Sequence, residues 1–402
     1  MRGDFRNGAG ALTGPLLLDE GVTARDDRLP RAWTRRSVQL TLLSALVLIT
    51  AVGRAWVIGR YTEPDGDAKG HLGIAAALLK DPLRVGVHWV WPPGYHYFLA
   101  GLLGLGVTAQ GVRYLNCVLA ALLPFLVWSY ASRTNSPSAS SLERVAPFLA
   151  GALCAAMPVV NLLGSSAQPG TLFAILVLVA AASIDRRRFA LGGVALSAAV
   201  MVRYEAAGAI AILATLRLVG AVPQLARRLP KSIVAYCSFP LVLVLPPVVT
   251  VLAWLFAHRV AEGTWLGFIR EIYRYTHEQR QTFFHQDVWT DFVFFPVVQP
   301  YYLFGLTLPL CLLGIRRAWT AGFIVPLGIY VFLLGSYTCK GVLASGRYYE
   351  SLTPYICIAA AHGAVVLGQR WRPGALLAYA AAFGHVAKLL LLTGRWTFHL
   401  AW

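Results

Sequence analysis

Long apolar runs constrain this chain more than any other feature, because about 20 consecutive apolar residues can cross the hydrocarbon core of a bilayer as a helix. The 402 residues are 57% hydrophobic and only 13% charged, which is roughly half the charged fraction of a soluble domain. Backbone groups inside a bilayer must be hydrogen-bonded within the spanning segment. The repeated runs therefore predict an all-α, polytopic membrane protein.

The apolar runs predict about eleven transmembrane helices, at residues 38–58, 112–131, 146–163, 168–184, 189–202, 204–219, 232–257, 300–315, 320–338, 351–369 and 373–393. A shorter run at 93–107 is assigned to the interface. Counted as a full span, it would place the cluster Arg186–Arg188 outside, against the positive-inside bias. Residues 1–37 are then a flexible cytoplasmic tail, and residues 38–402 form the transmembrane domain.

The formal net charge of +17 does not indicate nucleic-acid binding. Most arginines lie in short connections between apolar runs, as the positive-inside bias predicts. The six cysteines lie mostly within apolar runs and form no CxxC pair, so neither a zinc site nor a disulfide framework is predicted. A bridge between Cys339 and Cys357, both toward the outer side, stays open. Motifs for nucleotide hydrolysis and zinc proteolysis are absent from the sequence.

This topology places three polar segments on the outer face: a first outer loop at 59–111, a second long outer loop at 258–299, and a shorter one at 339–350. The first contains the segment Asp65–His71, which carries two carboxylates and a histidine at the mouth of a transmembrane helix. Charged groups near a bilayer are costly and by default mark function. We therefore expect a site at the outer membrane–water boundary.

Asp67 precedes the helical pattern Ala68–Leu79 and has two interpretations. It is either an N-cap, for which aspartate is favoured, or a general base at the mouth of a cavity. Asp65 is a second candidate catalytic carboxylate, which either holds a divalent cation together with Asp67 or faces water. His71 follows Asp67 by four residues, so both side chains share one face of the helix.

The aromatic segment Trp89–His96 also has two interpretations. It is an interfacial anchor, or Trp91 packs over a sugar to which His71 and His96 donate hydrogen bonds. Two histidines and an aspartate are also a set that binds metals, although this spacing is a weak signal.

Cationic candidates lie near the start of a late helix. Arg347 and Tyr348 are either an interfacial anchor or a site for a lipid phosphate, which a guanidinium fork binds well; Lys340 is a weaker candidate for the same task. The run at 189–202 is only 14 residues long, about 21 Å at the rise of an α-helix. It would place Arg203-Tyr204-Glu205 below the outer surface, where the two charges must pair with each other or face a polar cavity.

Taken together, these motifs resemble the GT-C superfamily of polyprenyl-phosphate-sugar-dependent glycosyltransferases, and among them bacterial relatives of protein O-mannosyltransferases and aminoarabinose transferases. The resemblance covers most of residues 38–393. It rests on the acidic motif after the first helix, the Trp91–His96 segment, the Arg203–Glu205 turn, and Arg347-Tyr348 followed by Pro354. The Asp-Glu pair of protein mannosyltransferases is here Asp65-Gly66-Asp67, so either aspartate is a candidate base, and Asp67 is favoured.

The resemblance implies a GT-C-like fold in a bacterial cytoplasmic membrane and an inverting sugar transfer. Asp67 would accept the proton of an acceptor hydroxyl on a glycan, lipid or protein, while Arg347 and Arg203 stabilise the leaving lipid phosphate. The chemistry requires no cofactor, and a divalent metal at Asp65 and Asp67 is a weaker alternative. A secondary transporter or lipid flippase is the alternative function; it predicts paired, interrupted helices in two halves. A non-catalytic membrane scaffold is a third.

Overall fold

The computed structural model describes residues 35–63, 65–88, 90–133, 140–222, 239–283, 298–338 and 346–396. Within these ranges, every regular element is a helix. Five helical segments among them are long and apolar enough to cross a membrane, namely Arg36–Arg60, Ala109–Ala131, Leu241–Glu262, Ala321–Thr338 and Gly346–Arg370. The all-α membrane character predicted from composition is thus confirmed.

The α-helices in chain order are α1 (Arg36–Arg60), α2 (Gly66–Leu78), α3 (Pro93–Gly104), α4 (Ala109–Ala131), α5 (Ser141–Ala156), α6 (Pro158–Leu163), α7 (Gly170–Asp185), α8 (Phe189–Val202), α9 (Ala206–Ala221), α10 (Leu241–Glu262), α11 (Gly267–Phe283), α12 (Gln299–Phe304), α13 (Thr307–Ala318), α14 (Ile324–Thr338), α15 (Thr353–Arg370) and α16 (Arg372–Trp396). Three 3₁₀ segments cover Val85–His88, Ala321–Phe323 and Gly346–Leu352.

Several predicted boundaries differ from the structure, and proline or glycine accounts for two of them. The predicted helix 146–163 is divided into α5 and α6, because Pro158 favours an extended conformation at the residue before it, Met157 (ψ 128°). The predicted helix 300–315 is divided at Gly305, whose φ is +47°. Arg347 and Tyr348 lie in a 3₁₀ segment, so α15 begins only at Thr353. Nearly all of the predicted cytoplasmic tail lies outside the described residues.

Helices α13 and α15 approach so closely that their backbones touch through glycines. A Cβ atom at Gly314 would lie 2.0 Å from the carbonyl oxygen of Ala359, and one at Gly363 would lie 1.9 Å from that of Leu310. Small residues permit this approach in membrane helix pairs, where dispersion contacts replace the hydrophobic effect as the driving force. The pair fixes α15 and, with it, the 3₁₀ segment that precedes it.

Helix α8 has 14 residues, as predicted, and ends at Arg203, whose backbone is extended. Helix α9 then begins at Ala206. The N-terminus of α3 packs directly on the end of α8, because a Cβ atom at Gly94 would lie 2.6 Å from the carbonyl oxygen of Met201. The first outer loop and the Arg203–Glu205 turn are therefore held against each other.

Candidate functional site

A cavity of about 490 Å³ lies where α2, the α8–α9 turn, α10, α11 and the 3₁₀ segment Gly346–Leu352 meet. Its volume is within the range of small-molecule sites. All three polar segments at 59–111, 258–299 and 339–350 contribute side chains to its wall, and so does the α8–α9 turn; among these side chains are Asp67, His71, Trp91, Arg203, Tyr204, Glu205, Tyr273, Tyr275, Arg347 and Tyr348. Most of the remaining lining is apolar, from α8, α10 and α11.

Asp67 and Arg347 are in direct contact in this wall, although 280 residues separate them in sequence. Arg347 Nη1 donates to Asp67 Oδ2, and the two side chains are only 15% and 19% exposed, respectively. Low exposure strengthens such a pair relative to one in water. The contact places an anion and a cation side by side at the edge of a cavity, so each can act on the same bound molecule.

Asp65 lies behind Asp67, where it caps α2. Its Oδ1 accepts hydrogen bonds from the backbone N–H groups of Asp67 and Ala68, and Gln168 donates to its Oδ2. The prediction that Asp67 is the N-cap is therefore wrong, and so is the alternative that Asp65 faces water, because Asp65 is 1% exposed. Burial raises the pKa of Asp65 to about 6. Asp65 does not line the cavity, and its side chain caps α2.

Sequence reasoning missed a buried polar layer under the capped end of α2. Glu63 accepts hydrogen bonds from Ser166 Oγ at 3.0 Å and from the backbone N–H of Ala167 at 2.8 Å. Arg113 lies 3.5 Å from Glu63 and donates to the carbonyl oxygens of Tyr61 and Ser165. This layer ties the 61–65 segment to the α6–α7 loop and so fixes where α2 begins. Only long-range contacts reveal it, since none of these residues forms a recognisable motif.

The Arg203–Glu205 turn combines the two alternatives that the sequence left open. Arg203 donates through Nε and Nη2 to Glu205 Oε1, at 2.9 and 2.6 Å, and both residues also line the cavity. The ring of Tyr348 is close to two guanidinium groups, 5.0 Å from that of Arg203 and 5.6 Å from that of Arg347. Cations at this distance from an aromatic face are attracted to it. The wall thus presents two fixed cations around one tyrosine.

Trp91 and His71 form an aromatic corner of the cavity, with ring centroids 4.5 Å apart. Trp91 lies across the first turns of α2, where a Cβ atom at Gly70 would be 3.3 Å from the indole ring. His96, in contrast, is fully buried and does not line the cavity. The prediction that His96 contacts a bound sugar is therefore not supported by its position, whereas Trp91 and His71 are placed to do so.

Behind His71, three imidazoles form a hydrogen-bonded chain. His71 Nδ1 lies 2.8 Å from His96 Nε2, and His96 Nδ1 lies 2.8 Å from His88 Nδ1. Burial is the main cause that lowers the pKa values, to about 3 for His71, 4 for His88 and 2 for His96. All three rings are therefore neutral near pH 7. His88 carries no obvious signal in the sequence, because a single histidine in a loop matches no pattern.

The predicted metal alternative finds little support in this arrangement. Asp65 is committed to the cap of α2 and to Gln168, and Asp67 is paired with Arg347. Among the described residues, no group of three His, Cys, Asp or Glu side chains is arranged to hold a metal ion. Lys340 lies outside the described ranges. Cys357 is a buried free thiol within α15, and Cys339 is outside those ranges, so the bridge between them has no structural support.

Comparison with known proteins gives no independent assignment. No family model matches the chain, and no curated protein resembles it closely enough to count as a match. What this protein does must therefore be argued from the cavity and its charged wall.

Proposed function

We propose that this protein is an integral membrane glycosyltransferase of the GT-C type, which transfers a sugar from a polyprenyl phosphate to an acceptor hydroxyl at the outer face of a bacterial cytoplasmic membrane. One observation carries the proposal. A carboxylate and a guanidinium, Asp67 and Arg347, touch in the wall of a cavity that is large enough for a sugar phosphate. Apolar side chains of α10 and α11 line the same cavity.

Transfer of a sugar from a lipid phosphate requires positive charge at the leaving group. The bond between the anomeric carbon and the phosphate oxygen breaks, its electron pair stays on the phosphate, and the acceptor oxygen forms the new bond. The phosphodiester of the donor thus becomes a monoester with additional negative charge. Arg347 would stabilise that charge, and Arg203 would assist it, since both guanidinium groups lie within 5.6 Å of the Tyr348 ring. Fixed cations are effective here because they need no reorganisation during the reaction.

Asp67 is the group in this wall best placed to accept the proton of the acceptor hydroxyl. In the unliganded structure its carboxylate is held by Arg347. A bound phosphate competes for the same guanidinium, since Arg binds phosphate and carboxylate with the same fork geometry. Donor binding would thereby release Asp67 next to the anomeric carbon. The base becomes available when the donor is present, and Asp65, held in its cap, is not needed for this step.

Aromatic side chains complete the sugar site. Trp91 of the first outer loop and Tyr273 and Tyr275 of α11 line the same cavity as Asp67. Flat aromatic faces pack on the C–H surface of a sugar ring while the hydroxyls find polar partners, and His71 is one such partner in reach.

Reconstituted protein in lipid vesicles tests the proposal with polyprenyl-phosphate-linked glucose, mannose and arabinose as donor probes. Release of polyprenyl monophosphate is measured, with water or added glycan as the acceptor. We expect at least one donor to be consumed, and Asp67→Asn to lower kcat by about 10²–10⁴-fold, the usual contribution of a general base. Asp81→Asn, in the same loop but exposed, is the matched control and should behave as wild type. Full activity of Asp67→Asn would exclude Asp67 as the base.

A further inference from the structure

The buried histidine chain connects the cavity with a second pair of titratable groups at the end of α10. His88 Nε2, at the far end of the chain, is buried and has no hydrogen-bond partner among the described residues. The same is true of His258 Nε2, and both rings pack on Trp254, at centroid distances of 5.6 and 4.4 Å. His258 Nδ1 in turn lies 2.8 Å from Glu262, whose side chain is 29% exposed.

Glu262 also lies close to the segment that carries His88. A Cβ atom at Gly86, two residues before His88, would be 3.4 Å from Glu262 Oε1. A hydrogen-bonded series of titratable groups therefore runs from the cavity wall at His71 through His96 to His88. A second pair, His258 and Glu262, lies beyond it across Trp254, with no hydrogen bond from His88 to His258 among the described residues. Burial of three imidazoles costs free energy, because each is a polar ring that must be kept neutral. We therefore expect the three rings to have a function.

We propose that His71, His96 and His88 form a proton relay, continued by His258 and Glu262, which carries the acceptor's proton out of the cavity during each sugar transfer. The inference rests on the proposed glycosyltransferase function, since that reaction converts a phosphodiester to a monoester and releases the hydroxyl proton inside a largely apolar cavity. Asp67, which receives this proton, is one helical turn from His71 on α2 and lines the same cavity.

The hydrogen-bond pattern permits proton transfer along the chain, and no ring retains a positive charge at the end of it. A neutral chain of three imidazoles has two tautomeric forms, and in one of them His71 Nε2 is the unprotonated end that faces a bound molecule. When this nitrogen takes the proton from Asp67, the Nδ1 proton of His71 moves to His96 Nε2. The Nδ1 proton of His96 then moves to His88 Nδ1, and His88 releases its Nε2 proton toward His258. Each ring ends neutral in its other tautomer, so the rings must re-orient before the next turnover.

The charges that face the chain favour this direction. Arg203 and Arg347 lie on the cavity side and disfavour a positive charge on His71. Tyr95 packs edge-on against the His71 ring at 5.4 Å, and His258 faces His88 from α10. At the far end, the carboxylate of Glu262 favours arrival of a proton. The lowered pKa values of the three rings, about 2 to 4, keep a proton from resting on the chain near pH 7.

The donor-consumption assay with the glucose, mannose and arabinose probes tests the relay when it is repeated in mixtures of H₂O and D₂O. For the wild type we expect a curved dependence of kcat on the deuterium fraction, because several protons move together. We expect His96→Phe to lower kcat by about tenfold or more with little change in KM. Added imidazole should restore turnover in His96→Gly, because it can occupy the space of the missing ring. His362→Phe removes a buried histidine outside the chain and is the control, expected to match the wild type.

The outcomes separate the relay from the glycosyltransferase proposal. If His96→Phe retains the wild-type kcat while Asp67→Asn is inactive, the relay is refuted and the transferase stands. A linear dependence of kcat on the deuterium fraction in the wild type would also refute the relay. This measurement uses only the wild type, so it does not depend on the folding of any variant. If the wild type consumes none of the three donors, both proposals fail together.

Discussion

Acidification should destabilise this protein through its buried histidines, and the size of the effect follows from their pKa values. These are about 3, 4 and 2 for His71, His88 and His96, against a usual value of 6.5. Between these values and 6.5, the unfolded chain binds protons that the folded chain does not. The free energy of unfolding therefore falls as the pH falls below 6.5.

One pH unit is worth about 1.4 kcal/mol for each such group. A pH of about 5.5 is roughly one unit below the usual histidine pKa. Lowering the pH from about 7.5 to about 5.5 therefore lowers the free energy of unfolding by about 4 kcal/mol for the three histidines together. Asp65 acts in the opposite direction, because its pKa is raised from 3.8 to about 6. The folded state binds a proton at Asp65 as the pH falls through about 6. This proton binding raises the free energy of unfolding by about 1 kcal/mol. For these four groups together, the expected loss is about 3 kcal/mol.

Reversible unfolding in mixed micelles at the two pH values measures this difference. A triple variant with His71→Gln, His88→Gln and His96→Gln should lose the histidine contribution and keep that of Asp65. On acidification its free energy of unfolding should therefore fall by about 4 kcal/mol less than that of the wild type. If the triple variant does not fold, His96→Gln alone should reduce the loss by about 1 kcal/mol relative to the wild type. An equal loss in wild type and variants would refute the reasoning.

Further predictions concern packing, the buried layer and the sugar site. Gly363→Ala forces a methyl group into the backbone at Leu310, so we expect a thermal-unfolding midpoint well below that of the wild type, with a loss of about 1–3 kcal/mol. Arg113→Met leaves Glu63 buried without its cation. This substitution should lower the free energy of unfolding by about 3–5 kcal/mol at about pH 7. An unchanged free energy of unfolding would mean that Arg113 does not stabilise Glu63 as described. Trp91→Leu should raise KM for the consumed donor with a smaller effect on kcat, as steady-state kinetics would show.

The sequence predicted those features that depend on local spacing. The length of the apolar run 189–202 predicted a short helix, and α8 spans Phe189–Val202. The positive-inside bias grouped the loops that contain Asp67, Trp91 and Arg347, and the structure brings these residues to one cavity. Each of these inferences needs only helix geometry and charge.

Other features depend on contacts between distant residues and could not be read from the sequence. Either aspartate of Asp65-Gly66-Asp67 can cap a helix, and the choice is made by Gln168, which lies 103 residues away and binds Asp65. His96 looked like a ligand because it follows Trp91 by five residues. Its helix turns it inward instead, onto His71 and His88. Composition and periodicity carry no information about such partners.

The most direct test of the central claim asks whether the protein breaks the sugar–phosphate bond or only moves the lipid. Sealed vesicles carry the three donor probes in one leaflet, and both cleavage and translocation of each probe are measured. The proposed enzyme releases polyprenyl monophosphate from at least one probe, and Arg347→Met, which removes the cation beside Asp67, abolishes that release. Translocation of intact donor without any cleavage would contradict the account and identify a lipid flippase.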